Sequence, residues 1–287
     1  MLSDYIINYY YQALVLLFIT DRFSKFIVSL GRFDRRLNFL FLLLLNLPLA
    51  LILYQKSLWL AGIFVLAFWV ISLVVNYITF LRVSYFLGSI FVLGFLFLLL
   101  YPGVFTLLAG EEVSIIKSCF ICYLAANIGY FYRHISTERQ YSAHQARFNI
   151  KKTVAFFLGG VSVCIVMAEF LGFFSAPIPP NYLNSFGSLC SGVFAINIAL
   201  ELILKIGLFK GVFGMLKINN FGIKMFLIII ISGLLMFSLS GQIEYLILGA
   251  VIGFFTTLLY RFSDLQMAII FRLMVTIIPL VALNITI

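Results

Sequence analysis

Residues Tyr130 to Lys152 read YFYRHISTERQYSAHQARFNIKK. This is the longest polar run in the chain, and apolar stretches follow one another on either side of it. It holds both histidines (His134 and His144), the basic residues Arg133, Arg139, Arg147, Lys151 and Lys152, and the acid Glu138. It lies near the middle of the 287 residues, with similar hydrophobic lengths before and after it. In such a background the run marks a water-facing loop between two membrane-embedded halves.

The composition supports that reading. The chain is 64% hydrophobic and 10% charged, whereas soluble domains carry about 25% charged residues. It therefore has too few charges to cover a water-facing surface. The apolar runs are continuous and reach about 20 residues, long enough for a helix to cross a bilayer. They do not alternate polar with apolar residues, which excludes a membrane β-barrel. The expected class is an all-α, polytopic membrane protein.

Ten spans are read, at about 5–20, 38–54, 58–75, 84–109, 113–132, 153–175, 186–204, 225–240, 243–260 and 265–285. The chain then divides into a first transmembrane half, 1–132, a basic loop, 133–152, and a second half, 153–287. Loop 21–37 holds Arg22, Lys25, Arg32, Arg35 and Arg36, and its apolar stretch 23–31 suits a helix lying in the membrane surface. Alternate loops after it hold Arg82, then the five basic residues of the central run, then Lys205, Lys210, Lys217 and Lys224, then Arg261. The intervening loops hold Lys56 as their one basic residue, and one of them holds the acids Glu111 and Glu112. A bias of that size puts the basic side in the cytoplasm and both termini outside. It also accounts for the net charge of +9 without a nucleic-acid partner. Five spans per half orient the halves oppositely, the topology of an inverted repeat. The N-terminus, MLSD, lacks a basic n-region, so the first apolar run is read as a retained helix.

Charges within spans are the first candidates for function, because burying one costs at least about 2.5 kcal/mol. They are Lys117, Glu169, Glu201 and Arg272. Counting helix rise from the assigned ends puts Lys117 and Glu169 in the outer half and Glu201 and Arg272 in the inner half. Two pairs are thus permitted, Lys117 with Glu169 and Arg272 with Glu201. They suit a polar pathway or a buried anion site; they equally suit helix pinning, with Lys117 and Glu201 snorkelling to the interface. Lys205, at i+4 from Glu201, reads as the partner in an ordinary helix-end pair.

Arg133, Arg139, Arg147, Lys151 and Lys152 suit contact with lipid phosphates, and equally a solvated loop. His134, Glu138 and His144 make an incomplete metal site, so no metal or cofactor is expected. The four cysteines (Cys119, Cys122, Cys164 and Cys190) lie within apolar runs and read as small hydrophobes. GAVIG, Gly249 to Gly253, is a GxxxG suited to close helix contact. APIPPNYLN, Ala176 to Asn184, reads as an irregular external turn.

LFKGVFGML (Leu208 to Leu216), ISGLLMFSLSG (Ile231 to Gly241) and LLYRFSDLQMAIIFR (Leu258 to Arg272) are similar in spacing to CAAX-protease-like intramembrane metalloproteases. Those enzymes carry paired glutamates before the first element and a histidine ending each later one. Lys205 and Ile206 stand at the glutamate positions, and Gly241 and Arg272 at the histidine positions. The resemblance therefore implies a catalytically degenerate relative. CSGVFA, Cys190 to Ala195, looks like a rhomboid nucleophile segment, but no histidine follows it.

The expected function is that of a bacterial-type inner-membrane permease or translocation component for a small solute or lipid-linked anion, without its own ATPase. Its expected partners are membrane lipids, an anionic or lipid-linked substrate and other membrane proteins. The alternatives are a membrane-embedded enzyme acting on a lipid-linked substrate and a non-catalytic subunit. Single cysteines placed in loop 133–152 are expected to react with impermeant maleimide only after the inner membrane is opened. Labelling from outside the intact membrane would reverse the topology.

Overall fold

The computed structural model describes residues 2–19, 35–55, 121–128, 149–171, 186–240 and 242–285, with a few isolated helical positions between 63 and 119. The described elements are helices: α1 (Leu2–Ile19), α2 (Arg35–Gln55), α3 (Ile150–Phe170), α4 (Phe186–Glu201), the π-helix π1 (Leu202–Val212), α5 (Phe213–Met215), α6 (Phe221–Ser240), α7 (Ile243–Phe262) and α8 (Leu265–Ile285). No strand occurs among the described residues. Three helices are long and apolar enough to cross a membrane: α3, the 221–238 part of α6, and α7. At 21 residues α3 reaches about 30 Å, the thickness of a bilayer core. Its outward positions Val154, Leu158, Val166 and Phe170 are exposed hydrophobics, which is what a lipid-facing surface requires. The described residues are thus all-helical, and the protein is membrane-embedded. Apart from those isolated positions, the expected spans 58–75 and 84–109 lie outside the described residues, as do the turn at 176–184 and most of the central loop, and the span 113–132 is described only in part.

Short polar residues start the helices where the sequence turns apolar. Asn149 Oδ1 accepts from Lys152 N at 3.1 Å, Asn220 Oδ1 from Gly222 N at 2.8 Å, and Asp264 Oδ1 from Met267 N at 2.8 Å. Each satisfies an amide that the first helical turn leaves without a backbone partner.

The stretch 205–224 differs from the expected cytoplasmic loop. Helix α4 continues without a break through π1 and α5, so Lys205 and Lys210 lie on a helix. No proline interrupts the run, and apolar residues surround each lysine, so the backbone bonds continue. Lys205 accordingly leaves the set of loop charges that set topology.

The chain forms two compact units. The first comprises Met1–Tyr141 with Ile206–Lys217. In it Pro48 sits inside α2 and cannot donate to the Leu44 carbonyl. Tyr10 Oη donates to that carbonyl at 2.9 Å instead. One residue on, Tyr11 Oη donates to Leu45 O at 2.7 Å and accepts from Leu49 N at 3.1 Å. The two α1 tyrosines therefore supply the α2 ladder where proline weakens it. Tyr11 also packs edge-on against Tyr123, whose hydroxyl donates to Asn46 Oδ1 at 2.5 Å.

The second unit comprises Ser142–Lys205 with Ile218–Ile287. Its core is formed by Cys164, Leu248, Ile252, Leu259, Phe271 and Val275. Helices α6 and α7 form a hairpin at glycine-limited distance. A Cβ on Gly253 would lie 2.6 Å from Ser232 Cβ, and one on Gly249 2.7 Å from Met236 Cβ. Ser232 Oγ donates to the Gly249 carbonyl at 2.7 Å across this contact. The start of α3 meets the end of α7, where Asn149 N donates to Phe262 O at 3.3 Å. Basic residues gather at that end: Lys152 Nζ lies 5.1 Å from the centroid of the Phe262 ring, and Arg261 Cζ 3.9 Å from that of Phe221.

Gly253→Val forces the α6–α7 hairpin apart. The expected loss is about 1–3 kcal/mol, measured as reversible unfolding in bicelles, with a smaller loss for Gly159→Val, where nothing lies within 4 Å of the added carbon.

Candidate functional site: a buried charge cluster

Asn197, Glu201 and Lys205 follow one another every four residues, so their side chains line one face of the α4–π1 helix. Glu201 is the last α-helical residue and Lys205 lies in the first turn of π1. π-Helical segments are rare and occur frequently at functional sites. Facing this row are Arg272 and Thr276 of α8 and Thr257 of α7, again supplied at helical spacing and by an adjacent helix.

Arg272 Nη1 donates to Glu201 Oε1 at 2.6 Å, and Arg272 Nε donates to Asn197 Oδ1 at 3.2 Å. Asn197 Nδ2 donates to Thr276 Oγ1 at 3.1 Å, which in turn donates to the Arg272 carbonyl at 2.9 Å. The asparagine is thereby fixed with its oxygen toward the guanidinium. Lys205 Nζ donates to Thr257 Oγ1 at 2.6 Å and lies 3.8 Å from Glu201 Oε2. Thr257 Oγ1 donates onward to the Gly253 carbonyl at 2.6 Å. The side chains of Glu201, Lys205 and Arg272 are all 0% exposed.

Two cations thus share one carboxylate, and Glu201 is the only buried acid among the described residues. With its residues in their usual ionised forms the cluster carries a net charge of +1. Each buried ion loses several kcal/mol of hydration, which good geometry and further hydrogen bonds must offset. That offset is incomplete here. Arg272 Nη2 and Glu201 Oε2 have no hydrogen-bond partner among the described residues.

Of the residues singled out from sequence, Glu201 and Arg272 are brought into contact, and Glu201 does not snorkel because its side chain is fully enclosed. Lys205 is a full member of the cluster and not a helix-end residue in water. Glu169 is exposed on the last turn of α3, which ends at Phe170, short of the expected 175. Lys151 and Lys152 are exposed in the first turn of α3. Lys117, Arg133, His134, Glu138, Arg139, His144 and Arg147 lie outside the described residues, as does the Lys117–Glu169 pairing. Sequence reasoning missed Asn197, Thr257, Thr276 and the burial of Lys205. The four-residue spacing of Asn197, Glu201 and Lys205 was the signal available; the basic-loop count absorbed the lysine first.

Fold and site together define an all-helical membrane protein with a charge cluster inside its helix packing. The chain matches no family model, no curated protein and no solved structure.

The cluster makes opposite predictions for its members. Glu201→Gln leaves two buried cations facing each other and is expected to cost about 3–5 kcal/mol. Lys205→Met leaves the neutral Arg272–Glu201 pair and is expected to cost less than about 1 kcal/mol, since removing the unmatched charge offsets the lost hydrogen bond. Steric-trapping measurements in bicelles check both.

Proposed function

We propose that this protein is an integral membrane permease, or the translocating component of one, for a small anionic solute or a lipid-linked anion. The observation that carries the reading is the net-positive cluster of Glu201, Lys205 and Arg272, fully buried on helices of a membrane-embedded unit. Ionisable residues inside membrane helices are rare and mark substrate or ion pathways. Simple helix pinning needs one cation per carboxylate; the second cation has a role if the pathway carries negative charge. A π-segment beginning beside the carboxylate adds support, since such segments accompany functional sites.

In this proposal ten spans cross the bacterial inner membrane, with both termini outside and the basic central loop in the cytoplasm. Lys151, Lys152 and Arg261 then face anionic headgroups at the cytoplasmic surface, where each basic residue contributes about 1 kcal/mol of attraction. A lipid-linked anion concentrated there has a short path to the helix ends.

Purified protein in phosphatidylcholine proteoliposomes, preloaded with radiolabelled formate, acetate, glycerol phosphate or inorganic phosphate, tests the reading by counterflow. Wild type is expected to exchange at least one of these about tenfold faster than Arg272→Gln. Exchange no faster than in empty liposomes for the whole set overturns it, whereas normal exchange by Arg272→Gln removes the cluster from the pathway.

A further inference from the structure

We infer that the cluster of Arg272, Lys205 and Glu201 is a binding site for one monovalent oxyanion, a carboxylate or a phosphodiester. This names the site and the charge of the cargo, and rests on the transport reading only for the step that moves the anion.

Three observations converge. The first is charge: two cations and one carboxylate are enclosed together, and no second buried acid occurs among the described residues. A single added negative charge brings the cluster to neutrality, whereas a dianion overshoots it.

The second is donor capacity. Arg272 uses Nη1 for Glu201 and Nε for Asn197, which leaves Nη2 with no hydrogen-bond partner among the described residues although its side chain is fully enclosed. Guanidinium N–H groups match the paired oxygens of carboxylates and phosphates, and such charge-assisted bonds are about twice as strong as neutral ones. Lys205 has three N–H donors. One goes to Thr257 at 2.6 Å, and Glu201 Oε2 stands 3.8 Å away, beyond hydrogen-bond length.

The third is fixation. Asn197 is held by Thr276, and Thr257 by the Gly253 carbonyl, so neither hydroxyl nor amide has to reorganise when an anion arrives. Glu201 then holds the two cations in place without satisfying both. Its Oε1 engages Arg272 and its Oε2 is left without a hydrogen bond. Competition from Glu201 also keeps an incoming anion from being held too tightly to leave, as a transport site needs.

The test is equilibrium dialysis of radiolabelled formate against the full chain in nanodiscs of phosphatidylcholine alone. Wild type is expected to hold one formate per chain. Lys205→Met and Arg272→Gln, each of which leaves one cation with one carboxylate, are expected to lose binding by at least about tenfold. Circular dichroism and retained unfolding cooperativity show that these two variants are folded; should one fail to fold, the other decides. Repeating the dialysis with phosphatidylglycerol in the disc separates the two ligand sources. Displacement of formate by the lipid assigns the site to a phosphodiester headgroup, and undiminished formate binding assigns it to a free carboxylate.

Binding of neither formate nor phosphatidylglycerol, or formate binding unchanged in both variants, overturns the inference. Formate binding lost in the variants, without counterflow in wild type, leaves the site standing and removes the transport reading. Counterflow that persists in both variants keeps transport and removes the site.

Discussion

The carboxylate of Glu201 is the constraint on which the second unit depends. It is the only buried acid among the described residues, and it lies against Arg272 on one oxygen and Lys205 on the other. Arg272 sits seven residues into α8 and Lys205 in the first turn of π1. Neither cation is near enough to a helix end to reach water while its side chain stays enclosed. Both are held in place by hydrogen bonds to Asn197 and Thr257. In a membrane, where hydrophobic burial adds little force between helices, polar contacts of this sort and close backbone packing decide which helices meet. The cluster supplies the first for α4, α7 and α8. Gly233, Gly249 and Gly253 supply the second for α6 and α7.

The two devices are connected through one residue pair. Gly253 lets α6 approach α7, and its carbonyl accepts from Thr257, the residue that accepts a hydrogen bond from Lys205. The bond from Thr257 to the Gly253 carbonyl, one turn back on α7, fixes the orientation of the hydroxyl that meets Lys205. Gly160 on α3 plays a parallel part, since a Cβ there would strike the rings of Phe255 and Phe271. Phe271 is the neighbour of Arg272, so the aromatic packing that holds α8 against α3 also sets the rotation that turns the guanidinium inward.

The first unit shows the same economy with neutral groups. Pro48 removes a donor from α2, and α1 returns it through Tyr10 and Tyr11. Tyr123 and Asn46 extend the network to residues 121–128. Tyr10 acts at a carbonyl that an apolar environment would otherwise leave costly and unmet. Proline inside α2 is therefore tolerated because a neighbouring helix carries tyrosines at the matching height.

Membrane class and helical content followed from the sequence alone, because they depend on composition and run length, which need no partner. The sequence also permitted Arg272 to meet Glu201, although the helix that carries Glu201 runs on past the expected end at 204. The caps at Asn149, Asn220 and Asp264 are likewise local, each fixed by one short side chain and the amide two or three residues on. What the tertiary structure decided is how each helix is rotated and which neighbours it meets. Lys205 looked like a loop charge because a lysine beside apolar residues is costly by itself; in the packed chain Thr257, fifty-two residues away, accepts a hydrogen bond from it. Pro48 carries no mark showing that Tyr10 and Tyr11 will repair its ladder. The excess positive charge of the cluster could not be counted until three residues from two distant stretches, 201–205 and 272, were enclosed together. Burial and pairing are properties of the packed chain, and a linear pattern fixes them only where both partners lie on the same helical turn.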